Sequence, residues 1–190
     1  MEAVGIIPAR FHSTRFEGKV LADICGKPMV QHVWEKAKQA RLLDDLIIAC
    51  DDERTYKIVK NFGGKAILTA KEHTSGTERI TEVVNPLEVK IIVNIQADEP
   101  MLDSSMIDGI IRELLEDKTL EVATVVKKIE HLEEINDSHV VKAVLDKYNF
   151  ALYFSRSPIP FIRDNALAEG AYYKHIGLYA YTKDFLFTYK

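Results

Sequence analysis

The sequence predicts an α/β fold, a mostly parallel sheet covered by helices and followed by an antiparallel extension. Three observations carry this. Short apolar runs alternate with amphipathic stretches as far as residue 126. The apolar run over residues 89–95 has the pattern of a strand buried on both faces, as in a parallel sheet. After residue 139 the rhythm changes to three strands joined by polar, Pro-containing connections with little helix between them.

The elements follow in order. Val4-Gly5-Ile6-Ile7 is the first strand. A helix is predicted over 28–40, because Pro28 suits a first helical turn and Val30, Val33, Trp34 and Ala37 share one face. Residues 46–50 form the second strand. Asp51-Asp52-Glu53 then opens a helix running to about residue 61, with acids at its positive end. Gly63-Gly64 closes that helix. A short strand over 66–68, a helix over 77–84, the strand over 89–95, a helix over 103–115 and a strand over 122–126 complete the alternation. Strands over 140–145, 151–154 and 176–181 form the antiparallel extension or a dimerisation arm. Residues 184–190 read as the opening of an apolar-faced helix without a stop signal. The expected organisation is therefore one domain over residues 1–190 that lacks its C-terminal segment.

Composition narrows the function. A chain of 190 residues with net charge −4 is no general polyanion binder, which argues against nucleic acid as a partner and makes a local basic loop conspicuous. Met1-Glu2-Ala3 lacks the basic start of a secretory signal, and no apolar run approaches the ~20 residues of a membrane span. Cys25 and Cys50 form no C-x-x-C pair and have no histidine companions, which suits reduced thiols in the cytoplasm.

Four segments carry chemistry. The first strand empties into a loop holding Arg10, Ser13, Thr14, Arg15 and Lys19, at the edge where open α/β sheets bind ligands. Arginine forks and a lysine point charge suit phosphate oxygens, and the amides of Ser13 and Thr14 add donors. Neither G-x-G-x-x-G nor G-x-x-x-x-G-K-[ST] is present, so the loop is neither a dinucleotide fingerprint nor a P-loop. A solvated basic loop is the alternative. Asn94-Ile95-Gln96-Ala97-Asp98-Glu99-Pro100 ends the buried strand at the same edge. Asp98 facing a phosphate loop suggests Mg²⁺, which takes one or two carboxylates plus substrate phosphates. Glu99 caps or pairs instead, and a purely structural acid is the competing reading.

Thr74-Ser75-Gly76-Thr77-Glu78-Arg79 brings backbone near a base at Ser75-Gly76 and aims the Arg79 cation toward the same edge. The alternative is a plain helix cap, with Glu78 in a capping box. Arg156, Arg163, His175 and Tyr179 gather in the non-helical part, where the arginines suit a carboxylate on a second substrate.

Taken together, these segments resemble the 3-deoxy-manno-octulosonate cytidylyltransferase (CMP-Kdo synthetase) family. The resemblance rests on Ile7-Pro8-Ala9-Arg10, Ser13-Thr14-Arg15, Gly18-Lys19, Gly26-Lys27-Pro28-Met29, Ser75-Gly76-Thr77-Glu78-Arg79, Val93 through Pro100, Ala151 through Arg156, and His175-Ile176-Gly177-Leu178-Tyr179. They span nearly the whole chain in the expected order.

The resemblance implies a nucleotide-diphospho-sugar-transferase-like sandwich and a homodimer. It implies CTP bound by Pro8, Ala9, Arg10, Ser13, Arg15, Lys19, Ser75, Gly76 and Arg79, with Lys19, Arg15 and Asp98 at the chemistry and Mg²⁺ on Asp98. It implies 3-deoxy-D-manno-octulosonate (Kdo) held by Gln96, Arg156, Arg163, His175 and Tyr179, for lipopolysaccharide biosynthesis. The sugar's anomeric hydroxyl attacks the α-phosphorus and pyrophosphate leaves. The family usually has Gly at Ala97 and Pro at Val20, and it continues beyond the point matching Lys190 into a segment carrying a second metal-site Asp. Two rivals stand beside this reading: the same reaction on 8-amino-3,8-dideoxy-octulosonate, and an inactive nucleotide-binding chain.

Overall fold

The computed structural model describes residues 1–12, 16–162 and 172–188. It divides into one unit of Met1–Ala123 with Leu178–Lys190, and a second of Thr124–Gly177. In the first unit the chain runs β1 (Ala3–Ala9), a hairpin of β2 (Asp23–Ile24) and β3 (Lys27–Pro28), α1 (Met29–Ala37), β4 (Asp45–Cys50), α2 (Glu53–Asn61), β5 (Lys65–Leu68), α3 (Gly76–Val84), β6 (Ile91–Asn94) and α4 (Ser104–Glu116). Four strands pair in parallel in the order β5-β4-β1-β6, the arrangement the alternating pattern predicts. Val4, Ile6, Ile47, Ala49 and Ile92 pack with Ile80, Val83 and Val84 of α3. Alternate strand residues Ala3, Ile7 and Ile48 are equally buried, so both faces are covered. Gly5 is small for a reason: a Cβ there would lie 2.8 Å from Leu46 Cδ1.

Caps fix where the helices begin. Asp52, Ser75 and Asp103 each accept a backbone N–H from the first turn of α2, α3 and α4. Pro28 precedes α1 in extended conformation instead of occupying its first turn, and the helix stops at Ala37, where Gln39 and Ala40 donate to carbonyls three residues back. The sequence pattern does not reveal the β2–β3 hairpin, whose strands are too short for periodicity. Its turn is readable only from Cys25 and Gly26, both at positive φ, as a two-residue primed turn requires.

Strand β7 (Val122–Lys128) leads into the second unit, which holds α5 (Glu133–Asn136), β8 (Lys142–Leu145) and β9 (Ala151–Ser155). Strand β10 (Tyr173–Thr182) begins there and ends in the first unit, before α6 (Lys183–Thr188). Within the second unit, β8 pairs antiparallel with β9 and with the start of β10. Within the first, the end of β10 pairs antiparallel with β6. Lys142 is wholly buried in the second unit, its ammonium donating to the carbonyls of Asp137 and Val140.

Candidate functional site

Parallel pairing decides where the site residues emerge. Ala9 lies beside Cys50, and Ile6 beside Asn94. The chain therefore leaves β1, β4 and β6 at one edge, delivering Arg10, Asp51 and the 96–98 segment there.

Of the basic loop, Arg10 is exposed, and its Nη1 donates to the Thr74 carbonyl at 3.2 Å. This contact joins the loop to the segment that opens α3. Lys19 starts a short 3₁₀ turn, and its Nζ lies 2.6 Å from Asp98 Oδ2, both side chains being partly exposed. Ser13 and Arg15, with Arg163 of the sugar set, lie outside the described residues.

Ser75 Oγ accepts the Glu78 N–H at 3.1 Å, and Glu78 reaches back to the Thr74 N–H at 2.8 Å. The Thr74 N–H, followed by the Thr74 hydroxyl and the Ser75 N–H, holds the Glu78 carboxyl below the usual carboxylate range. The cap expected as an alternative is thus formed. Gly76 sits over Pro8: a Cβ there would be 3.7 Å from the proline ring. Arg79, expected to aim its cation at the edge, is instead wholly buried beneath it. Its Nη1 donates to Thr69 Oγ1 and to the Ala70 carbonyl, and its Nη2 faces Asp51 Oδ2 at 3.8 Å.

Gln96 is half-buried and Ala97 buried, with Asp98 and Glu99 exposed beyond them. Desolvation, then the neighbouring Asp98 charge, raise the Glu99 carboxyl above its usual range. Among the described residues no group of three or more His, Cys, Asp or Glu side chains could hold a metal ion. A lone hard carboxylate, Asp98, is nonetheless a donor of the kind Mg²⁺ takes, since that ion keeps waters and substrate oxygens as its remaining ligands.

Tyr179 pairs with Asn94 in β10–β6, and its ring stacks on Tyr181 with centroids 5.9 Å apart. In the second unit, Arg156 donates to the Ser138 carbonyl at 2.6 Å. His175 lies 2.8 Å from Thr124 Oγ1 and tilts against the Phe154 ring. Burial lowers the His175 pKa, which favours the neutral imidazole. Sequence reasoning missed Thr74 and Asp51. Thr74 acts through its backbone, and Asp51 reads as one more helix-start acid.

The sequence profile of the family described as Cytidylyltransferase matches residues 4–190. A 3-deoxy-manno-octulosonate cytidylyltransferase of Geobacter sulfurreducens is 46% identical, over 98% of this chain and 78% of that protein. One from Solibacter usitatus is 50% identical, over 98% of this chain and 73% of its own length. A solved CMP:2-keto-3-deoxy-manno-octonic acid synthetase complexed with CTP superposes with a TM-score of 0.93 at 43% identity, covering all of this chain and 77% of the other. A 4-diphosphocytidyl-2C-methyl-D-erythritol synthase from Anaerococcus prevotii, 12% identical with a TM-score of 0.62, shares the fold. The chain belongs to the 3-deoxy-manno-octulosonate cytidylyltransferase family of nucleotidyltransferases.

Proposed function

We propose that residues 1–190 act as a single cytidylyltransferase domain that transfers CMP from CTP to Kdo, releasing pyrophosphate and forming CMP-Kdo for lipopolysaccharide biosynthesis. The observation that carries the reading is the sheet edge that bears the Arg10–Thr74 and Lys19–Asp98 contacts, in a chain 43% identical to a synthetase solved with CTP. Arg10, Ser13, Arg15 and Lys19 hold the triphosphate. Pro8, Ala9, Ser75 and Gly76 shape the base pocket. Gln96, Arg156, Arg163, His175 and Tyr179 receive the sugar acid, the arginines binding its carboxylate.

The chemistry needs no covalent enzyme intermediate. The sugar hydroxyl attacks the α-phosphorus in line, and pyrophosphate leaves. The protein contributes orientation and charge neutralisation, with Lys19 and Arg15 set against the phosphate oxygens. Asp98 would hold Mg²⁺, which supplies Lewis-acid stabilisation of those oxygens.

Two further readings belong to this proposal. The cytoplasm is the compartment, supported by two free thiols, of which Cys50 is buried with its pKa pushed up to about 12 by desolvation. Among the described residues no helix is long and apolar enough to cross a membrane. The protein works as a homodimer, supported by apolar side chains exposed along the edge strand β9. The test of the reaction is pyrophosphate release from CTP, Kdo and Mg²⁺. Release is expected with Kdo. CTP binding without release, or a higher kcat/KM for the 8-amino sugar, would overturn the reading.

A further inference from the structure

We propose that the acidic turn after β4, together with Arg54 and Arg79, is a positioning device that grips Phe11 and thereby sets where Arg10 and Lys19 meet the nucleotide. The inference rests on the cytidylyltransferase reading above and assigns parts to four residues that touch no substrate.

Phe11 is held at three points. Its N–H donates to Asp51 Oδ1 at 2.8 Å. Its carbonyl accepts the Gly18 N–H at 2.8 Å. Its ring lies under the Arg54 guanidinium, 3.6 Å from the centroid. The Gly18 bond closes the two ends of the loop on Phe11 and the Asp51 bond anchors that closure to the turn after β4, with Arg10 immediately before the closure and Lys19 immediately after it. Gly18 makes the closure possible. It sits at φ +70°, and a Cβ there would come within 3.2 Å of the Phe11 ring. A side chain at this position would push the ring away and strain the backbone.

Behind the grip stands a layer of charge. Asp51 is almost wholly buried, with the loop N–H on one oxygen and the Arg79 guanidinium facing the other. A buried carboxylate stays ionised only where a cation or several donors compensate it. Arg79 is the cation, itself anchored to Thr69 and Ala70. Among the described residues its Nε and Nη2 make no hydrogen bond, so its charge serves Asp51 without a fork–fork pairing. Asp52 fixes Arg54 in turn. It takes both Nε and Nη2 of that side chain at 2.8 and 2.9 Å, which aims the guanidinium plane over Phe11. Arg79 thus acts on the nucleotide indirectly, through Asp51 and the Phe11 N–H.

Three variants test this: Arg54→Gln, Arg54→Lys and Phe11→Leu. CTP affinity is read by calorimetry, and KM for each substrate is read separately. Arg54→Gln is expected to weaken CTP binding and to raise KM for CTP about two- to fivefold, the size of a lost exposed cation–π contact. KM for Kdo and the melting temperature should hold. Arg54→Lys, which keeps a cation over the ring, should recover part of the loss. Phe11→Leu should match or exceed Arg54→Gln. Should Phe11→Leu fail to fold, Arg54→Gln still decides, because that side chain is 57% exposed. CTP affinity within twofold of wild type in Arg54→Gln would overturn the inference, as would KM values rising equally for both substrates. A wild-type protein that binds no CTP would overturn the cytidylyltransferase reading itself, which separates the two failures.

Discussion

Lys19 and Asp98 form an ion pair at the sheet edge. Both side chains are more than two-fifths exposed, so water screens their 2.6 Å pairing and the pair adds little to folding. Facing a triphosphate, the same ammonium meets several anionic oxygens at once. Lys19→Ala is therefore expected to lower kcat by roughly 10²-fold or more while the melting temperature moves only slightly. A large fall in melting temperature with unchanged kcat would contradict the assignment. Asp98→Asn keeps shape and one acceptor but loses the charge. We expect turnover to lose its dependence on Mg²⁺ concentration in the millimolar range, as read from pyrophosphate release across a metal titration. A normal titration curve in that variant would remove Asp98 from the metal site.

At the scale of elements, the caps bind fold to site. Ser75 closes the first turn of α3 and lies in the segment proposed to shape the base pocket. Ser75→Ala should cost about 1 kcal/mol, which lowers the melting temperature by about 2–4 °C in a chain of this size. Ser75→Asn, which can cap equally well, should restore the melting temperature but not KM for CTP. Recovery of both would reduce Ser75 to a cap alone. The Asp52 cap is robust over ordinary assay conditions, because its hydrogen bonds to the Arg54 side chain hold its pKa near 2. Its contribution is present above the ordinary carboxylate range and fades only as pH falls toward 2.

The same elements show what a sequence can reveal. The parallel strands were legible because burial on both faces leaves an uninterrupted apolar run, and the helices because their caps are short polar residues before a 3.6-residue period. Arg79 shows the limit. An arginine beside Ser75-Gly76 reads as a surface cation, and only Thr69, Ala70 and Asp51 arriving from other segments make burial tolerable. Thr74 escaped notice because a backbone carbonyl carries its contact, and any residue type supplies one. The β2–β3 hairpin escaped because two-residue strands have no period.

For the whole molecule, the exposed edge of β9 needs covering. Leu152 and Tyr153 are about two-thirds exposed, and Phe150 more than half. An uncovered apolar edge strand invites pairing with another chain, and a twofold partner closes it without leaving a further edge. Leu152→Asp is expected to shift the sedimentation coefficient from dimer to monomer at micromolar concentration. An unchanged dimer would place the interface elsewhere.

The central place of β1 has a kinetic meaning. β1 precedes both of its partners in the chain: β4 pairs Val4 with Asp45, and β6 pairs Ala3 with Ile91. The chain must run on as far as Ile91 before β1 is flanked on both sides. Until then an apolar segment waits unpaired, and closing so long a loop is slow. The sheet edge that carries Arg10 and Asp98 is consequently assembled late in folding.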